Sequence, residues 1–80
     1  MADMSRSGTE LEGTVLLEYS PANNPVYIGE AGIGVQSSEA KFRIRKLTYD
    51  AFNNVTSILW ASGNARYDKV WDLRATYAYS

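Results

Sequence analysis

The sequence contains no cysteine and no histidine among its 80 residues. Without cysteine it can form neither disulfides nor thiolate metal sites. Without histidine it lacks the commonest neutral metal ligand and the commonest general base. We therefore predict no metal site, no cofactor and no enzymatic activity. A domain this small buries only about 60% of the surface of its unfolded chain, and such domains often gain stability by association, so we expect oligomerisation or docking onto a larger assembly.

The sequence also has little net charge and no long apolar run. The formal net charge is −1, so no overall field attracts the protein to nucleic acid or to a membrane surface. No stretch approaches the roughly 20 apolar residues of a membrane span, and no apolar run follows a basic patch at the N-terminus. The sequence thus predicts a soluble protein that is made or assembled in the cytosol.

What the sequence does contain favours strands. β-branched and aromatic residues, including two Trp and six Tyr, supply most of the hydrophobic content, and these residues fit pleated sheets. We predict an all-β domain over residues 14–80: a small antiparallel sheet, sandwich or partly open barrel of about five to six strands. Residues 1–13 mix Ser, Thr, Gly and charges without a period, which predicts an arm that is flexible or becomes ordered on assembly.

The clearest predicted element is a β-hairpin of residues 41–49 and 55–61, joined by a turn rich in Asp and Asn. Asn tolerates the positive φ that such a turn requires. The apolar alternation changes phase within the first strand, so we expect either a β-bulge near Arg45 and Lys46 or a sheet that is partly covered on both faces. Residues 73–79 alternate cleanly, which predicts a closing strand.

Four patterns could carry function. Residues 29–34 are spaced G-x-x-G-x-G, but no Lys-Ser or Lys-Thr follows, so we interpret them as a flexible loop and not a phosphate cradle. The carboxylates show no pair spaced for catalysis. Basic residues are concentrated in one strand, and Tyr and Trp are typical of interfaces. The candidate interface residues are Lys41, Arg43, Arg45, Lys46, Tyr49, Trp60, Tyr77 and Tyr79.

Several short blocks stand in a distinctive order between residues 27 and 80. They are Tyr27-Ile28-Gly29, then residues 37–50 with Phe42-Arg43-Ile44-Arg45-Lys46 at their centre, Asn54-Val55-Thr56, Trp60-Ala61-Ser62-Gly63-Asn64, Trp71-Asp72-Leu73-Arg74 and Tyr77-Ala78-Tyr79-Ser80. In order and spacing they resemble small proteins encoded among the structural genes of tailed bacteriophages. Residues 31–34 lack the proline expected there, Phe42 replaces a tryptophan and Asn53 a glycine, all tolerable changes in a β scaffold.

The resemblance implies a non-enzymatic virion component, either a capsid decoration, a connector or a tail-associated subunit. It implies assembly in the host cytoplasm, with copies of the chain itself and other virion proteins as partners, and it transfers no catalytic residues. Two alternatives remain open. One is a tail-fibre module that binds host glycans through Tyr and Trp. The other is an oligonucleotide-binding small barrel that uses Arg43, Arg45 and Lys46.

Overall fold

The computed structural model describes residues 13–80, and these form one five-stranded antiparallel sheet. The elements are β1 (Thr14–Tyr19), β2 (Pro25–Ala31), β3 (Ala40–Tyr49), β4 (Val55–Trp60), β5 (Lys69–Val70) and a 3₁₀ helix (Trp71–Thr76). β1 to β4 form a meander in chain order, and β5 pairs with the start of β3. The sheet is not closed. The prediction of a small all-β fold is confirmed, whereas the predicted arm lies, apart from Gly13, outside the described residues.

Two five-residue turns of the same conformation join β1 to β2 and β3 to β4. They span residues 20–24 and 50–54, and in each the fourth residue is an asparagine, Asn23 or Asn53, with φ of 65°. The side-chain amide of Asn24 donates a hydrogen bond to Oδ1 of Asn53 at 3.0 Å, so the two turns are neighbours at one end of the sheet. The prediction that asparagine supplies the positive φ of the hairpin turn is confirmed.

The first side chain of each turn closes it by accepting backbone hydrogen bonds. Asp50 Oδ1 accepts from the N–H groups of Phe52 and Asn54 at 2.8 and 3.0 Å, and Ser20 Oγ occupies the equivalent position in the other turn. The backbone N–H groups of Asn54 and Phe52 lower the pKa of the Asp50 carboxyl, because they stabilise its ionised form. Asp and Ser at this position therefore fix the turn.

The two faces of the sheet differ in what lies against them. The strand register is continuous through the middle of β3, and its shifts lie near the two ends of the strand, between Ala40 and Phe42 and between Thr48 and Tyr49. The predicted bulge near Arg45 and Lys46 is therefore misplaced, and alternation sends successive β3 side chains to opposite faces. The covered face carries Leu16, Tyr27, Gly29, Ala31, Phe42, Ile44 and Ala61. The open face carries Val15, Leu17, Ile28, Glu30, Arg43, Arg45, Leu47, Ile58 and Trp60.

The hydrophobic core lies between the covered face and the C-terminal segment. Phe42, Ile44 and Ala61 are completely buried, and Trp71 is 7% exposed. The rings of Phe42 and Trp71 lie 6.4 Å apart between centroids. Such a small core is expected for a sheet that is covered by one 3₁₀ helix and a short tail.

Gly29 is part of β2, and the predicted loop over residues 29–34 is wrong at its start because β2 continues to Ala31. The ring of Trp71 lies directly on Gly29: a Cβ there would be 2.5 Å from Trp71 Cε3. A glycine within a strand commonly marks such a close approach. The glycine therefore serves packing at this position, and the loop begins only at Gly32.

The predicted closing strand over residues 73–79 is also wrong, since Trp71–Thr76 is a 3₁₀ helix. Thr76 Oγ1 donates to the Leu73 carbonyl, a local bond that satisfies a backbone acceptor of this last turn. Only the end of the segment is extended: Tyr79 forms a bridge with Ala61. In this conformation Trp71 packs in the core on the sheet face and Tyr79 returns to pair with Ala61 at the sheet edge.

Candidate functional site: the open face of the sheet

The candidate interface residues predicted from the sequence fall into two groups. Arg43, Arg45 and Trp60 lie on the open face, and Tyr49 follows them at the end of β3. Lys41 stands at the start of the same strand, where its side chain is 65% exposed and its Nζ lies 4.0 Å from Glu39. The other three, Lys46, Tyr77 and Tyr79, lie on the opposite side with the C-terminal segment. The structure therefore brings only part of the predicted set together.

Stacked arginine and aromatic side chains form the centre of the open face. The guanidinium carbon of Arg43 lies 4.9 Å from the ring centroid of Tyr67 and 5.7 Å from that of Trp60. The guanidinium carbon of Arg45 lies 5.2 Å from the Trp60 ring. Cation–π contacts of this length are attractive. Because β3 and β4 place Arg45 opposite Trp60, the strand pairing itself sets up the stack, which we name the Arg–Trp cluster (Arg43, Arg45, Trp60 and Tyr67).

Glu30 partly neutralises the Arg–Trp cluster. Its Oε1 lies 2.8 Å from Arg43 Nε and 3.3 Å from Arg45 NH2. One carboxylate therefore serves two guanidinium groups, which leaves one positive charge in excess. Arg45 Nε is buried and has no hydrogen-bond partner among residues 13–80, an arrangement that costs free energy unless another group satisfies it. The three charged side chains are between 28% and 34% exposed, so they are held in place but remain accessible.

Apolar side chains surround this cluster on the open face. Val15 is 52% exposed, Leu17 45% and Ile58 54%. The register aligns Leu17, Ile28, Arg45 and Trp60 in one row across the four strands of the meander. Single exposed apolar residues are ordinary, but several on one sheet face around a charged and aromatic cluster are consistent with a protein-contact surface.

Tyr49 and the second group of candidate residues make contacts within the chain. The hydroxyl of Tyr49 donates to the carbonyl of Pro25 at 2.7 Å, which connects the end of β3 to the start of β2. Lys46 Nζ lies 5.9 Å from the ring centroids of both Tyr27 and Tyr79. The hydroxyl of Tyr77 accepts a hydrogen bond from the backbone N–H of Val70 at 2.8 Å. Whether these residues also contact a partner stays a prediction.

Tyr79 anchors the end of the chain. Its hydroxyl donates to the carbonyl of Arg74 at 2.7 Å, and its ring lies 5.7 Å from that of Tyr27. Burial, together with the neighbouring tyrosines, raises the pKa of Tyr79 to about 12. The backbone of Ser80 meanwhile exchanges hydrogen bonds with Trp60 at 3.0 and 3.1 Å. The tail is thus a structural part of the sheet edge.

Sequence reasoning did not identify Val15, Leu17, Ile58, Glu30 and Tyr67 as surface residues. The apolar run of β1 predicts a strand, but it does not indicate which face the C-terminal segment covers. Glu30 was assigned to a loop, so its position opposite Arg43 was missed. A prediction that continued the second strand through Gly29 would have placed Glu30 in β2.

The described residues contain neither a candidate metal site nor a helix that could span a membrane. Within residues 13–80 no three His, Cys, Asp or Glu side chains lie close enough together to hold a metal ion. None of the helical segments in the described part of the chain is long and apolar enough to cross a membrane.

Comparison with known proteins finds no match, so the functional proposal depends on the geometry of this chain. The chain matches no protein-family model, and neither a curated protein nor a solved structure matches it. The class of protein that the described features define is therefore a small all-β domain with one covered and one open sheet face.

Proposed function

We propose that this chain is a non-enzymatic structural subunit of a bacteriophage particle, and that it acts by binding other protein chains through the open face of its sheet. The observation that carries the protein-contact part is the asymmetry of the sheet. One face is covered by Trp71 and the tail, whereas the other holds half-exposed apolar side chains around the Arg–Trp cluster. The virion setting is supported by the resemblance described above.

The composition of the open face suits a protein partner. Arg, Trp and Tyr are the residues most enriched at the energetic centres of interfaces. Here these side chains are already ordered by stacking and by their contacts with Glu30. Binding a partner would therefore cost little further side-chain entropy. The excess positive charge and the unsatisfied Arg45 Nε favour a partner that offers a carboxylate or carbonyl oxygen at the centre and apolar groups around it.

The two alternative functions have weaker support. An oligonucleotide-binding barrel needs basic side chains that are free for phosphates, but Glu30 contacts both Arg43 and Arg45, and the sheet is not closed. A glycan-binding module could use the 53% exposed Tyr67. However, the guanidinium group of Arg43 lies 4.9 Å from the centroid of the Tyr67 ring and would compete with a sugar for that ring face.

The test is incorporation of variants into particles. Ile58 on the open face and Leu73 on the 3₁₀ helix are matched in exposure, at 54% and 49%. We expect Ile58→Glu to be depleted from purified particles, because it places a charge in the contact surface, and Leu73→Glu to be incorporated like the wild type. Incorporation of both variants at the wild-type level would contradict the assignment of the open face.

A further inference from the structure

The outer edge of β1 is an open backbone edge of the sheet within residues 13–80. Within residues 13–80, β1 pairs with β2 on one side and with nothing on the other. The opposite edge of the sheet differs, since the tail at Ser80 covers the end of β4 through Trp60. An open strand edge offers unpaired N–H and C=O groups to any other strand.

The hydrogen-bonding pattern shows which groups of β1 point outward. The N–H of Ala61 donates to the carbonyl of Ile44, so Ile44 bonds toward β4, and its pairing with Gly29 is of the non-hydrogen-bonded kind. Gly29 must then bond to Leu16, its partner in β1. By alternation, the N–H and C=O groups of Val15 and Leu17 point away from the sheet.

The side chains of β1 do nothing to block this edge. Natural edge strands are commonly protected by lysine, proline or an inward-pointing charge, but the sequence TVLLEY has neither lysine nor proline. Its one charged residue, Glu18, is bound by Arg74 of the same chain, whose Nε lies 2.6 Å from Glu18 Oε1. Val15 and Leu17, which carry the outward backbone groups, are 52% and 45% exposed.

We propose that a second copy of this chain binds along β1, with the two β1 strands antiparallel about a two-fold axis at Leu16. The register is self-complementary. Val15 of each copy faces Leu17 of the other, so the outward groups of both residues form reciprocal hydrogen bonds, and their side chains meet on the open face. Thr14 faces Glu18 of the other copy, so no like charges are opposed.

The result is one continuous sheet that joins the two meanders. The interface is isologous, as in most two-fold dimers, and it uses strand addition, a common mode of protein association. The two open faces then lie side by side and double the surface available to a further partner. This contact rests on the proposed protein-binding function and adds a second binding surface, the β1 edge, to the open face, but it is tested in solution without particles. Failure of the dimer would leave the particle experiment unaffected.

The experiment measures the mass of the full-length protein in solution across a wide concentration range, by sedimentation equilibrium. We expect the mass to rise from 8.9 kDa toward twice that value. Leu17→Lys should raise the dimer dissociation constant by at least about tenfold, since two symmetry-related cross-strand pairs are lost. Leu73→Lys, at a residue of similar exposure (49% against 45% for Leu17) on the 3₁₀ helix, should dimerise like the wild type.

Two further variants locate the contact. Val15→Pro removes an N–H that the fold does not use, and circular dichroism checks that the variant is folded; we expect it to be monomeric. Because the chain has no native cysteine, an equimolar mixture of Val15→Cys and Leu17→Cys chains should form a mixed disulfide on mild oxidation. An Ile58→Cys chain should not cross-link to itself.

Three results would overturn the proposal. The first is a wild-type mass that stays at 8.9 kDa at every concentration. The second is dimerisation of folded Leu17→Lys and Val15→Pro variants as tight as that of the wild type. The third is a dimeric protein whose Val15→Cys and Leu17→Cys chains do not cross-link, which would place the contact elsewhere.

Discussion

Replacing Gly29 by alanine tests the packing of the C-terminal segment on the sheet. The new Cβ would lie 2.5 Å from Trp71 Cε3, 2.8 Å from Cζ3 and 3.3 Å from Cδ2 of Phe42. The first two distances are far below van der Waals contact. Trp71 is 7% exposed and Phe42 is completely buried, so the rings can yield only by shifting the helix that carries Trp71.

The magnitude follows from two opposing effects. Overpacking a core costs about 1–3 kcal/mol, whereas removing a strand glycine recovers about 0.5–1 kcal/mol of backbone entropy. We therefore expect Gly29→Ala to lower the free energy of unfolding by about 1 kcal/mol, which corresponds to about 4–8 °C in Tm for a domain of this size. Since such a domain is stable by only about 4–12 kcal/mol, the change is readily measured.

Gly32→Ala is the matched control. A Cβ at Gly32 would meet only Val35 Cγ2 at 4.0 Å, so this variant should be unchanged or stabilised by about 0.4–1 kcal/mol. Urea unfolding followed by tryptophan fluorescence and circular dichroism measures both variants. Combining Gly29→Ala with Trp71→Leu should remove most of the penalty, because the clashing ring is gone. Equal stability of the two alanine variants would refute the packing of Trp71 on Gly29.

Three other predictions concern the core, the turn and the tail. Phe42→Ala should lower the free energy of unfolding, measured in urea, by about 3–5 kcal/mol, since it leaves a cavity at a completely buried position. A decrease below about 1 kcal/mol would contradict that burial. Asn53→Ala should be less stable than Asn53→Gly by about 1 kcal/mol, because φ is 65° and both variants lose the same amide; equal Tm values would argue against the left-handed turn. The neutral form of Tyr79 is favoured in the folded state, so stability should be complete below pH 10 and should fall as the pH rises toward 12. Unfolding titrations of Tyr79→Phe should lack that part of the alkaline loss, and an unchanged alkaline loss would exclude Tyr79 as its source.

Much of the fold is predictable from local signals. β1 coincides with the apolar run Thr14–Tyr19 and ends before Pro21, a residue that cannot continue a strand ladder. The hairpin of β3 and β4 follows from two β-rich runs and a turn in which Asp50 and Asn53 have specific backbone roles. These features depend on neighbouring residues only, and therefore a single sequence reveals them.

What could not be predicted depends on contacts between distant residues. From the sequence, Gly29 resembles a loop glycine, and only the structure shows that the ring of Trp71 packs on it. Residues 73–79 alternate like a strand, although Leu73 and Arg74 lie in a 3₁₀ helix. The same holds for the candidate surface. Alternation separates Arg43 from Ile44, but only the position of the C-terminal segment decides which of the two faces stays open.

The most direct test of the proposal that this chain is a structural subunit of a bacteriophage particle is its copy number in purified particles, measured by quantitative mass spectrometry. A structural subunit should be present in a fixed ratio to the other particle proteins and should remain after repeated gradient purification. Its absence from such particles, despite its presence in the infected cells, would contradict the account.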